Sequence, residues 1–168
     1  MITAKANLAV LEAALENAPV SVADVMTREV MTLGPEQTFA DTVALMAIRF
    51  FRHVLVVDED QRLCGVISDR DILRGLARTL NWKAKSISEI MTRDAFTVTP
   101  DTPISLAIRE MLTNHISCLP VIGSDGRVCG ILTSTDLLTA YEKIQCALER
   151  SALPAAEKTN ANSLAKER

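Results

Sequence analysis

The segment Gly65-Val66-Ile67-Ser68-Asp69-Arg70-Asp71-Ile72 decides the fold, because it returns 65 residues later as Gly130-Ile131-Leu132-Thr133-Ser134-Thr135-Asp136-Leu137. In each copy a glycine leads an apolar pair, a hydroxyl residue follows, and an aspartate stands three positions beyond it. An apolar run closed by Ser or Thr, with Asp three residues on, describes a strand running into a helix. The same offset holds upstream: Met26-Thr27-Arg28 returns as Met91-Thr92-Arg93, Thr32 as Thr97, Pro35 as Pro100, Met46 as Met111, and Cys64 as Cys129. The alignment needs no gap, so the chain carries an internal duplication, and that repeat governs the reading of the rest.

Each copy yields the same order of elements. Val30-Met31-Thr32-Leu33 and its counterpart at 95–98 are short β-prone runs, stopped by Pro35 and Pro100. A helical stripe follows, on Phe39, Val43, Met46 and Phe50 in the first copy and on Ile104, Ala107, Ile108 and Met111 in the second. Val54-Leu55-Val56-Val57 is too short for a helix, and with the polar turn at 58–62 and the run from Leu63 to Ile67 it predicts a hairpin. Its copy is 119–122, the turn Gly123-Ser124-Asp125-Gly126, and 128–132. A helix then opens around Asp71 or Asp136. The expected fold is α+β (α/β): two tandem β-α-β-β-α units related by pseudo-two-fold symmetry. Unit one spans 21–78, a connector 79–86, and unit two 87–142. Residues 1–20 are expected to hold an amphipathic helix on Leu8, Leu11 and Leu15, and 143–168 a helical end followed by a disordered tail.

Composition narrows the function. With 168 residues, 48% hydrophobic and 23% charged, the chain can bury a core as one compact molecule. A formal charge of −3 supplies no positive field for a nucleic-acid backbone, and 4% aromatic residues supply few stacking platforms. No run approaches the roughly 18 apolar residues of a membrane span, and Glu12 and Glu16 interrupt the only stretch that could imitate a signal peptide, so a cytoplasmic protein is expected. Cys64, Cys118, Cys129 and Cys146 form no CxxC pair and have no histidine cluster nearby, so they are expected to be buried small hydrophobes rather than metal ligands or disulfide partners. No nucleophile–base pair and no Walker-type loop is present, so neither a catalytic residue nor a catalytic cofactor is expected.

Two units of this order, each with an opening like Asp24-Val25-Met26-Thr27 or Glu89-Ile90-Met91-Thr92 and the closing segment above, resemble a tandem pair of cystathionine-β-synthase (CBS) domains, a Bateman module. The resemblance implies a non-catalytic regulatory module that binds an adenosine-containing ligand (AMP, ADP, ATP, NAD(H) or S-adenosylmethionine) in clefts between the units. It further implies control of a separate regulated protein or of the module's own assembly, and the apolar helix faces of a pseudo-symmetric pair predict a homodimer. Competing readings are an adaptor with vestigial clefts and a nucleotide-processing enzyme.

On the resemblance, Asp71 and Asp136 hold the ribose diol, and Ser68 and Thr133, with neighbours Asp69, Arg70 and Ser134, face the phosphates at a helix start. Arg52 and His53, aligned with Ser117 and Cys118, are expected to give the Asp71 cleft more positive charge than the Asp136 cleft. Arg28 and Arg93 are further cation candidates. The base slot is expected to draw on Thr27, Thr32 and Phe51 from unit one and on Thr92, Thr97 and Ile116 from unit two, with base contacts of one unit meeting the Asp of the other.

Overall fold

The computed structural model describes residues 18–78 and 85–152. Residues 1–17 of the expected N-terminal helix, connector residues 79–84 and the tail from 153 lie outside the described residues. Unit one contains a 3-10 turn (Val22–Asp24), β1 (Thr32–Leu33), α1 (Phe39–Arg49), β2 (His53–Val57), β3 (Leu63–Ser68) and α2 (Asp69–Arg78). Unit two repeats this with a 3-10 turn (Ile87–Glu89), α3 (Ile104–Asn114), β4 (Cys118–Ile122), β5 (Val128–Thr133) and α4 (Ser134–Ala152). The mixed α+β architecture is the one the duplication predicts.

Both hairpins are antiparallel and in equivalent register, His53 facing Ser68 in one and Cys118 facing Thr133 in the other. The first strands are shorter than their apolar runs suggest. Thr32 and Leu33 alone pair in parallel with β2, and in unit two the counterpart is a single parallel bridge between Val98 and Val121. Val30 and Ala95, at the start of these runs, pack instead against the cluster between the units, which removes them from the sheets. Phe50 also departs from expectation. The stripe of α1 buries Phe39 and Met46 but ends there, and Phe50 is 91% exposed in a left-handed conformation (φ 57°) that turns the chain into β2. His115 ends α3 in the same way (φ 53°). Of the cysteines only Cys118 is buried; Cys64 and Cys129, near the turn ends of β3 and β5, and Cys146, on α4, are partly exposed.

The two units are built through each other. Thr27 of unit one exchanges both backbone hydrogen bonds with Ile131 on β5, and Thr92 of unit two does so with Val66 on β3, all four at 2.9 Å. The 3-10 turns cross with them. Val22 N–H donates to the Thr102 carbonyl, and Ile87 N–H to the Gln37 carbonyl. The hydrophobic cores record the same exchange: Val22 and Met26 are buried among Val98, Met111, Leu119 and Leu132 of unit two, while Ile87 and Met91 are buried among Phe39, Met46, Val54 and Ile67 of unit one. A third cluster of Leu55, Val66, Cys118 and Ile131 fills the space between the hairpins.

The glycine that opens each closing segment permits this crossing. A Cβ on Gly65 would stand 2.7 Å from the Thr92 carbonyl oxygen and 2.9 Å from the Met91 sulfur; one on Gly130 would stand 3.0 Å from the Thr27 carbonyl oxygen and 2.8 Å from the Met26 sulfur. A thioether swings aside easily and a paired backbone does not. Gly65→Ala should therefore cost about 1–3 kcal/mol of stability and Gly130→Ala less. Urea unfolding of the two variants checks this, and equal stability of Gly65→Ala and the parent contradicts it.

Candidate functional site

Each helix that follows a closing strand carries in its first turn the carboxylate picked out by the repeat. At α2, Asp71 Oδ2 accepts hydrogen bonds from the Ser68 N–H (2.9 Å) and hydroxyl (2.5 Å), and the Asp71 N–H donates to Ser68 Oγ (3.2 Å). At α4, Asp136 Oδ2 accepts from the Thr133 N–H (2.7 Å) and hydroxyl (2.5 Å), and the Asp136 N–H donates back to Thr133 Oγ1 (3.3 Å). This is a reciprocal cap: it satisfies helix-start N–H groups and fixes one carboxylate oxygen. It also commits the Ser68 and Thr133 hydroxyl protons to the aspartates.

The second oxygen of each carboxylate is placed differently. Asp136 Oδ1 accepts from the Thr27 hydroxyl at 2.9 Å, a bond made across the units by the exchanged opening. Asp71 Oδ1 lies 3.5 Å from an Arg74 guanidinium nitrogen on its own helix, and the Asp71 side chain is 14% exposed.

Two clefts open beside these carboxylates. One, of about 190 Å³, is walled by Ser68, Asp69, Arg70 and Asp71 of unit one and by Thr92, Asp94, Ala95, Phe96, His115 and Ile116 of unit two. The other, of about 270 Å³, is walled by Thr133, Ser134, Thr135 and Asp136 of unit two and by Thr27, Glu29, Val30, Met31, Phe50, Phe51 and Arg52 of unit one. His53 and Ser117 line both. Each cleft thus combines the aspartate of one unit with the Met-Thr opening and pre-strand residue of the other, and offers an apolar wall beside a polar rim. Phe50, Met31 and Glu29, with their counterparts His115, Phe96 and Asp94, escape sequence reasoning based on types of residue. The offset of 65 relates them, and would have flagged each as the partner of the other.

Some expected residues stand elsewhere. The Arg28 and Arg93 guanidinium groups donate to the Ala23 carbonyl (3.0 Å) and the Ser88 carbonyl (2.8 Å), closing their 3-10 turns. Thr32 is held in β1; neither it nor Thr97 lines a cleft. Arg52 also needs correction. It lines the Asp136 cleft rather than the Asp71 cleft, because β2 and β4 begin side by side, with His53 Nε2 3.1 Å from Ser117 Oγ, and residues just before either strand extend toward the other unit. Its Nε also donates to Asp69 Oδ2 at 3.3 Å.

Burial sets the protonation of the two residues that begin the central strands. His53 is held below its ordinary 6.5 by desolvation, against the opposing pull of the Asp69 carboxylate. It therefore adds no cation to either cleft at neutral pH. Burial, followed by the nearby Asp71 charge, pushes the Cys118 thiol up to about 12. Among the described residues, no group of three or more His, Cys, Asp or Glu could hold a metal ion, and no helix is long and apolar enough to cross a membrane.

The model of the CBS domain matches residues 22–78 and 87–143, and the chain belongs to that family as a tandem pair. A curated relative, homoserine O-acetyltransferase of Methanohalobium evestigatum, is 32% identical over 122 residues, which are 73% of this chain and 24% of that enzyme. The chain spans about a quarter of the first such enzymes it matches. Among solved structures, the CBS domain pair of protein MJ0100 in complex with 5′-methylthioadenosine and S-adenosyl-L-methionine is 29% identical with a TM-score of 0.68, covering 74% of this chain and 98% of that one. CBSX2 in complex with AMP is 26% identical with a TM-score of 0.68, covering 76% and 99%.

The His53 environment makes a stability prediction. A histidine that resists protonation when folded contributes stability that is complete above 6.5 and is lost as pH falls through that value toward the lowered folded one. The urea midpoint should fall more steeply below about pH 6.5 in the parent than in His53→Gln, which keeps a hydrogen-bonding group beside Ser117. Identical pH profiles contradict the assignment.

Proposed function

We propose that the chain is a non-catalytic sensor that binds adenosine-containing compounds in its two inter-unit clefts and thereby alters a separate protein or its own assembly. The observation that carries this is the carboxylate at each helix start. One oxygen is fixed by the cap, the other meets only the Thr27 hydroxyl or Arg74, and each aspartate lines a cleft to which the other unit adds apolar residues. A ribose diol supplies two hydroxyl donors to such a carboxylate, and a purine fits between Val30, Met31 and Phe51, or between Ala95, Phe96 and Ile116. Related pairs solved with AMP and with methylthioadenosine and S-adenosylmethionine support the ligand class.

Regulation follows from the construction. Both clefts are walled by both units, so a ligand that prefers one relative placement of the units shifts the population toward it. A homodimer is the proposed assembly. Ile48, Leu73, Leu112 and Leu138 are each about 70% exposed on the four helices, an apolar surface that a second copy can cover by two-fold pairing.

Two measurements check this reading. Calorimetry with AMP, ATP, 5′-methylthioadenosine and S-adenosylmethionine should find at least one ligand that Asp71→Asn/Asp136→Asn binds about tenfold or more weakly than the parent, since a charge-assisted hydrogen bond is worth about 1.5–3 kcal/mol. The amide keeps an oxygen for the cap, so the fold is retained. Unchanged affinity, or no binding by the parent, contradicts the proposal. Light scattering at micromolar concentration should return twice the chain mass, and a stable monomer overturns the dimer.

A further inference from the structure

The clefts share a plan, but among their aligned positions several differ in charge or polarity: Arg52 against Ser117, His53 against Cys118, Asp69 against Ser134, Arg70 against Thr135, and Phe50 against His115. The geometry turns these differences into different fields. The Asp71 cleft is lined by the carboxylates of Asp69, Asp71 and Asp94, with the Arg70 guanidinium and the His115 imidazole beside them; Asp69 and Asp71 are also approached by Arg52 and Arg74, neither of which lines this cleft. In the Asp136 cleft Glu29 and Asp136 face Arg52. His53 lines both and is held neutral by burial, so it cancels from the comparison.

The start of each helix sharpens the contrast. An anion seated at the start of α2 meets the Asp69 carboxylate, whose Oδ1 already accepts from the Arg70 N–H at 2.8 Å. At the start of α4 the same place is held by the uncharged Ser134, and the Thr135 N–H stands in the first turn, where a helix supplies no internal acceptor. Arg52, on the wall of this second cleft, uses Nε for Asp69 and keeps its two terminal nitrogens without a partner among the described residues. A guanidinium with a free fork is suited to a phosphate.

Resting on the reading that the clefts bind adenosyl compounds, we propose that they divide such ligands by charge. The Asp136 cleft takes a phosphorylated adenosyl compound, and the Asp71 cleft takes an uncharged or cationic one. This reverses the polarity that the sequence alone suggests. The Arg-His pair leads into β2, and β2 pairs with the strand leading to Asp71; in the fold Arg52 lines the other site. One chain could then compare two pools of adenosyl metabolites, with His53 and Ser117 forming the wall common to both sites.

The test is calorimetry on the full chain with AMP and with uncharged 5′-methylthioadenosine, using Asp71→Asn and Asp136→Asn to silence one cleft at a time. AMP affinity should fall about tenfold or more in Asp136→Asn and change little in Asp71→Asn, with the reverse for methylthioadenosine. Arg52→Ser should weaken AMP binding selectively. Asp69→Ser, which installs the residue of the other unit, should strengthen AMP binding in the Asp71 cleft of an Asp136→Asn background. Raising salt should weaken AMP binding and leave methylthioadenosine nearly unaffected. If AMP loss follows Asp71→Asn, or both ligands respond alike to both variants, the division by charge is overturned while adenosyl binding stands. If neither ligand binds the parent chain, the adenosyl reading and the division fall together.

Discussion

Every feature of the clefts depends on the exchange of the Met-Thr openings. Thr27 is pinned to Ile131 and Thr92 to Val66 by paired backbone hydrogen bonds, and Met26 and Met91 are buried in the core of the opposite unit. Neither unit therefore completes its core or its cleft alone. The exchange also explains why a duplicated sequence folds as one molecule instead of two beads: separating the units would expose Val22, Met26, Ile87 and Met91 and open the cluster around Leu55 and Ile131. Small residues at 65 and 130 are the steric condition for the crossing.

The aspartates illustrate a single group serving structure and site together. A helix start has N–H groups to satisfy and favours negative charge, so Ser-x-x-Asp stabilises α2 and α4 whether or not a ligand binds. The cap uses one carboxylate oxygen, and the other is left for the Thr27 hydroxyl in one cleft and for Arg74 in the other. The cap holds each carboxylate in place, so the proposed diol contact would be made by a group already ordered, at little conformational cost.

The fold was legible in the sequence because the repeat is ungapped: turns, hairpins and helix starts recur at one offset, and the structure places both hairpins in equivalent register. The lengths of the first strands were not legible, since apolar Val30 and Ala95 serve a core between units that local patterning does not distinguish from a sheet. Phe50 misled for a related reason, continuing the period of α1 one turn after the chain has left the helix. Of the site, the aspartates and their hydroxyl partners could be found as motifs. The cleft each basic residue serves could not, because Arg52 is near Asp71 in sequence alignment and across from Asp136 in space. Arg28 and Arg93 were misassigned because a cation after a 3-10 turn has nearby carbonyls to satisfy, and these hold it away from either cleft.

The central claim is that an adenosyl compound sits between the units against the capped carboxylates. Backbone amide chemical shifts, followed by NMR while the isotope-labelled protein is titrated with AMP, test it most directly. The account predicts saturable shifts confined to the helix starts at 68–71 or 133–136 together with the opposing residues near 92–96 or 27–31. An absence of saturable shifts, or shifts that cluster on the outer helix faces away from both aspartates, would contradict it.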